Sequence, residues 1–245
     1  MLSDSLIFDM VQTLPFSSFK DASTGKYILT TDEGAAYWRL DSPAQIVGLT
    51  LADLSTGTTK ENVGPVQSRL SKAYATQTTD MDRWVREQKR SIKATRIGLR
   101  FGDGNLTYES VAKLPIVGEK NLLGIVTYGM DLTSKLSLRS LYLLYANLFD
   151  RKEAIERFLR HVDIDRFFFV PPTPVEILVL VERSTGKSNS EIARQLKVVV
   201  RTVEAHMSNI RNKLKGDMLS LLFAHLRNRN EVTVEGIQQN AASGE

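Results

Sequence analysis

The stretch from Thr173 to Leu214, TPVEILVLVERSTGKSNSEIARQLKVVVRTVEAHMSNIRNKL, leaves few folds open. Thr173-Pro174-Val175-Glu176 puts a hydroxyl at the N-cap, proline at the first helical position and a carboxylate at the third. That is a capping box, in which each side chain satisfies a backbone N–H the helix start leaves unpaired. Ser188-Asn189-Ser190-Glu191 repeats the box ahead of Ile192, Ala193 and Leu196. A break at Lys197–Val199 precedes a third helix, predicted over about Val200 to Leu214. Val203, Met207, Ile210 and Leu214 recur along it at helical spacing, so one stripe is buried. Arg201, Glu204, Ser208, Arg211, Asn212 and Lys213 fill the rest. A helix hairpin joined by a tight turn, with a polar outer face on its second helix, suits insertion into a DNA major groove. The competing reading is a small helical bundle with no nucleic-acid role.

Charge agrees with the first reading. Between Pro171 and Asn230 the basic residues exceed the acidic ones by five, against a net charge of +4 for the whole chain. A local positive excess on a helical module is the footprint of a phosphate-backbone binder. The same residues resemble the LuxR-type helix-turn-helix transcription regulators. The resemblance runs through Thr173-Pro174, Glu176, Leu178, Gly186, Ser188-Asn189, Glu191-Ile192-Ala193, Leu196, Arg201-Thr202-Val203-Glu204, His206, Asn209-Ile210 and Lys213-Leu214. It implies a four-helix module whose third helix reads bases and whose fourth often supports dimerisation. Carried onto this chain, it gives Glu204, Ala205 and Ser208 as base-reading positions with Asn209 beside them. Arg201, Thr202, Arg211, Lys213, Lys187 and Asn189 become candidates for phosphate contacts. Two departures stand out. Val198-Val199-Val200 offers no side-chain acceptor to cap the recognition helix, a loss of about 1 kcal/mol. The loop Lys215-Gly216-Asp217-Met218 has fewer phosphate donors than the family pattern.

The 245 residues allow one large domain or two modest ones. The absence of cysteine excludes disulfides, thiolate metal sites and cysteine nucleophiles, and fits a cytoplasmic protein. No apolar run is long enough to span a bilayer. The N-terminal MLSDSLIFDMVQTLPF carries acids and no basic segment before its apolar stretch, unlike a signal peptide. No phosphate loop, hydrolase elbow or metal motif is visible, so the chain is expected not to be an enzyme.

Upstream, the periodicity is mixed. Phe16 to Ala22 and Tyr27 to Thr31 read as strands around a turn at Thr24-Gly25. Glu33 to Leu40 reads as a short helix, Ser42-Pro43 as the start of another turn, and Gly57 to Gly64 as loop. Val66 to about Ile92 reads as a long helix. Three strands follow, Thr95–Phe101, Leu106–Pro115 and Leu122–Met130, joined by Gly102-Asp103-Gly104-Asn105 and Gly118-Glu119-Lys120-Asn121. This describes a five-stranded antiparallel sheet with helices on one face. It resembles a PAS domain, carried by Phe19-Lys20-Asp21, Gly25-Lys26-Tyr27, Asp41 to Gly48, Leu123 to Val126 and Gly129-Met130-Asp131-Leu132-Thr133. The expected fold is α+β. It divides into a PAS-like sensor at 1–133, a helical linker and dimerisation candidate at 134–170, a four-helix LuxR-type module at 171–230, and a tail at 231–245.

The linker holds Leu138, Leu141, Tyr145 and Leu148 on one stripe, a capping box at Asp150–Glu153, and the apolar connector Phe167 to Pro172, expected to dock between domains. In the sensor, Tyr37, Trp38 and Trp84 are pocket candidates. The three histidines, His161, His206 and His225, lie outside it, which argues against histidine-ligated haem. With no cysteine, flavin-cysteinyl chemistry is excluded, and the cofactor is left open. The expected partners are double-stranded DNA, a second copy of the chain, a small-molecule ligand and RNA polymerase, and no membrane. Two further readings stand beside a PAS-sensing regulator. One is an acyl-homoserine-lactone receptor, and the other is an interaction protein that titrates other regulators without binding DNA.

Overall fold

The computed structural model describes residues 4–14, 16–58, 64–100, 103–119 and 121–229. Two compact units divide at Leu132/Thr133. The chain is α+β, with the sheet confined to the first unit and the second all-helical.

The first unit holds α1 (Asp4–Thr13), β1 (Ser17–Asp21), β2 (Tyr27–Thr30), α2 (Asp32–Tyr37), α3 (Leu51–Thr58), α4 (Pro65–Gln88), β3 (Ile92–Leu99), β4 (Leu106–Val117) and β5 (Leu122–Asp131). The five strands form one antiparallel sheet in the order β2-β1-β5-β4-β3. At the first hairpin the Asp21 carboxylate accepts from the backbone and hydroxyls of Ser23 and Thr24. Those bonds hold it at about pKa 2. Gly25 follows at φ +70°, where a Cβ would be strained.

Period two sorts the strands into two faces. Phe19, Ile116 and Val126 point one way, with Leu29 packed against them. Lys20, Val111, Lys113 and Thr127 belong to the other face. Gly124 lies beneath the Phe19 ring, where a Cβ would come within 2.3 Å of it.

Here the structure corrects the sequence reading. Helices cover both faces, because α1, read only as lacking a leader's charge pattern, buries Ile7 and Val11 against Phe19, Ile116 and Val126. On the opposite side Tyr27, Ile46 and Leu54 form a second cluster, with Trp38, Leu40 and Leu49 against it. A further correction lies at Gly57–Gly64: α3 runs through Thr58, and 59–63 fall outside the described residues. Gly102, Lys120 and the tail from Asn230 are outside them too.

The second unit runs through α5 (Leu138–Leu148), α6 (Arg151–His161), α7 (Pro174–Ser184), α8 (Asn189–Leu196), α9 (Val200–Lys213) and a helix at 219–229, termed α10. Phe158, Ile164, Ile177, Leu180, Ile192, Val203, Ile210, Leu222 and Leu226 make its buried core. The segment expected to be a linker packs into this core. Leu138, Leu141 and Tyr145 are buried as α5 lies against α6 and α7. Tyr145 shares a hydrogen bond with His161 at 2.8 Å, and Tyr142 meets Phe158 edge to face. The stripe proposed as a dimer seam is thus filled by the chain's own helices. Leu148, its last member, is half-buried.

The aromatic connector, expected to dock between domains, also belongs to this unit. Phe167 and Phe168 are buried, Phe168 forms a β-bridge with Leu214, and Phe169 stays exposed. Asp150 caps α6 through the backbone of Lys152 and Glu153. The reciprocal half of that box is replaced, since Glu153 accepts from Arg157 at 2.9 Å. Among the described residues, no helix is long and apolar enough to cross a membrane.

Candidate nucleic-acid interface and first-unit cavity

The two capping boxes at Thr173 and Ser188 are formed. Thr173 accepts from the Glu176 N–H while Glu176 accepts from the Thr173 N–H at 2.6 Å, and Ser188 and Glu191 do the same for α8. Lys197, in the left-handed region at φ 57°, closes α8 and turns the chain into α9. The expected lack of a cap is seen directly: Val199 is the N-cap of α9 and makes no side-chain bond there.

The turn between α7 and α8 is fixed by a residue the sequence reading passed over. Glu182, buried on α7, accepts from Lys187 at 2.5 Å, from Gln195 of α8 at 2.7 Å and from Arg139 of α5 at 2.6 Å. Burial works against its charge, but Lys187 and Arg139 outweigh it and hold the carboxyl below the usual range. Glu176 does the same at the other end. Burial opposes its charge, but Lys213 at 2.7 Å and the Thr173 backbone keep it ionised below its ordinary value.

These pairs redistribute the predicted contact residues. On α9, Arg201, Glu204, Ala205, Ser208, Asn209 and Arg211 are all exposed, Thr202 is half-buried, and Val203, Met207 and Ile210 face inward. One side of α9 is therefore a continuous polar surface. Asn189 sits half-buried in the first turn of α8. Lys187 and Lys213 are placed differently, because each directs its ammonium to a buried carboxylate. Both were candidates for phosphate contacts, and both ammonium groups are paired within the fold.

In the first unit a cavity of about 440 Å³ lies between the sheet and the helices α2 and α4. That size is ordinary for a small-molecule site. Tyr37 and Trp38, two of the pocket candidates, line it together with Tyr27 and Tyr74. Tyr37 and Tyr74 stack at 6.1 Å, and Trp38 meets both edge to face. Trp84 is not with them; it lines a separate open groove beside Met81 and Ile92.

The polar part of the wall was missed. Arg96 lies over the Tyr74 ring at 3.9 Å and bonds Glu109 at 2.8 Å. Lys113 reaches Asp82 and Thr127. The signal was present in β4: Thr107, Glu109 and Lys113 share one face of a largely buried strand, and charged residues are seldom fully buried unless paired.

Residues 173–220 match the family model described as "Bacterial regulatory proteins, luxR family". No curated protein sequence matches the chain. Among solved structures, VqmA of Vibrio cholerae in complex with ligand and DNA aligns at 19% identity over 94% of this chain and 88% of its own, with a TM-score of 0.45. A phage VqmA–DPO complex aligns at 20% identity over 92% and 84%, with a TM-score of 0.40. The PAS domain of Bordetella pertussis BvgS aligns at 17% identity over 59% and 97%, with a TM-score of 0.41. None of these three superpositions reaches a TM-score of 0.5. With both capping boxes, the tight turn and the polar face of α9 inside the matched segment, the second unit carries, over residues 173–220, a DNA-binding helix-turn-helix domain of the luxR family of bacterial regulatory proteins.

Proposed function

We propose that this chain is a sequence-specific transcription regulator in which a small molecule held by the PAS-like unit alters how a homodimer engages DNA. Glu204, Ala205, Ser208 and Asn209 would meet base edges: a carboxylate can accept from a cytosine amino group, and a methyl can touch thymine. Arg201, Arg211, Thr202 and Asn189 would hold phosphates. The observation that carries the reading is the polar face of α9, fully exposed over more than two turns while its apolar stripe is buried. A pairing surface is still needed, because operators read by such modules are two half-sites at fixed spacing. With α5 filled from within, α10 and the residue before it supply the surface: Leu221 and Met218 are left exposed beside the buried Leu222 and Leu226.

Selection from random duplex DNA tests the assignment. Glu204→Ala and Ser208→Ala should each relax preference at one position of the site, by about 1–3 kcal/mol. Arg211→Ala should weaken all sequences alike. An unchanged sequence preference in the first two variants would remove the base-reading role.

A further inference from the structure

DNA binding gives no reason for the charge buried in the wall of the first unit's cavity. The inference drawn from it rests on the reading of that cavity as a ligand site. Arg96 on β3 and Glu109 and Lys113 on β4 line the cavity, and two further charged side chains, Asp82 on α4 and Lys20 on β1, are tied to Lys113 without lining the cavity themselves. Arg96 and Glu109 neutralise each other at 2.8 Å. Asp82 is left to serve two ammonium groups, Lys20 at 2.8 Å on one oxygen and Lys113 on the other. Among the described residues no second carboxylate pairs with either lysine. Glu33 and the Arg100–Asp131 pair also line the cavity, but they are exposed and screened by water. One positive charge is thus buried in excess, which is costly unless an anion answers it. Burial and the neighbouring Lys20 accordingly push the Lys113 ammonium down to about 8, where it is still mainly charged at neutral pH.

Two unused donors point the same way. The Thr78 hydroxyl lines the cavity, is buried and has no partner. It sits one helical turn before Asp82, on the same face of α4. The Lys113 ammonium has three N–H groups and spends two, on Asp82 and Thr127. Opposite them stand the rings of Tyr37, Trp38 and Tyr74. We propose that the cavity binds a small planar organic monoanion, an aryl carboxylate, with its carboxylate between Lys113 Nζ and Thr78 Oγ1 and its ring against Tyr37, Trp38 and Tyr74. A neutral aromatic would leave the excess charge in place, and a dianion would overshoot it.

Calorimetric titration of the full chain with benzoate and cinnamate, each beside its neutral amide, tests this. At least one acid should bind ten-fold or more tightly than its own amide. Thr78→Val, near-isosteric, and Lys113→Met, which leaves Lys20 and Asp82 as a neutral pair, should each weaken the acid at least five-fold and leave the amide unchanged. Amides that equal the acids would overturn the anion class while keeping a ligand cavity. So would an acid affinity that Thr78→Val does not move. Failure of both acids to bind also overturns it. DNA binding measured on the same samples separates these failures from failure of the regulator reading: salt-sensitive DNA binding that persists leaves the latter standing.

Discussion

Replacing Lys213 by alanine separates two roles that sequence alone cannot distinguish. As a phosphate contact, Lys213 would be dispensable for folding. In the structure its ammonium lies 2.7 Å from a carboxylate that is 4% exposed. Removing one partner of a fully buried ion pair costs about 3–5 kcal/mol. Lys213 is itself 20% exposed, and Glu176 keeps the Thr173 N–H, so water and the cap recover part of that. About 2 kcal/mol is the expected loss, or roughly 8–12 °C in the transition of a domain this size. The sign with pH follows from the lowered Glu176 carboxyl. Its contribution is complete above the unfolded value near 4.5 and is lost as pH falls through the folded one. The variant should therefore differ most from wild type at neutral pH and converge with it in acid. Lys213→Met with Glu176→Gln should recover most of the loss, because no buried charge is then stranded. Thermal scans by circular dichroism at pH 7 and pH 3.5 measure all of this. A Lys213→Ala protein with an unshifted transition and weakened DNA binding would refute the structural role and restore the phosphate contact.

Three other outcomes follow from the same packing. Leu141→Glu should lower the transition of the second unit by about 3 kcal/mol or more, since Leu141 is buried against helices of its own unit; a folded monomer by sedimentation would instead revive the dimer seam. Val199→Ser should raise stability by about 1 kcal/mol by supplying the absent cap of α9, and an unchanged midpoint in urea would show the helix start satisfied otherwise. Lys113 is depressed toward 8 chiefly by burial and then by Lys20, so its proton is bound more weakly folded than unfolded. The first unit should gain stability from about pH 8 upward, until Tyr27, Tyr37 and Tyr74, which burial holds neutral, begin to oppose ionisation above pH 10. Lys113→Met should abolish that rise.

Much of this fold was readable from local signals. The capping boxes at Thr173 and Ser188 and the stripe Val203–Met207–Ile210 act within a few residues, so sequence order alone displays them. The three-stranded run after α4 was legible for the same reason, with boundaries off by a few residues, as at Ile92, assigned to the helix but opening β3. What escaped depends on distant partners. α1 gains its burial only from Phe19, Ile116 and Val126. The seam on α5 looked vacant because α6 and α7, which fill it, come later in the chain. Lys187 and Lys213 looked like surface cations because Glu182 and Glu176 sit on α7's inner side, a fact of packing rather than spacing. Trp84 fell away from Tyr37 and Trp38 in the same manner, its side of α4 being turned toward another groove.

The central claim is that the exposed face of α9 and its flanking cations bind duplex DNA. The salt dependence of full-length affinity for a selected operator tests it most directly. Each phosphate contacted contributes about −0.9 to the slope of log K against log[salt]. The account predicts a slope of about −3.6 or steeper, from Arg201 and Arg211 in each arm of the dimer, made shallower by roughly one per arm in Arg211→Ala, and little altered by Ser208→Ala. A slope near zero, or one that Arg211→Ala leaves unchanged while the protein stays folded, would contradict it.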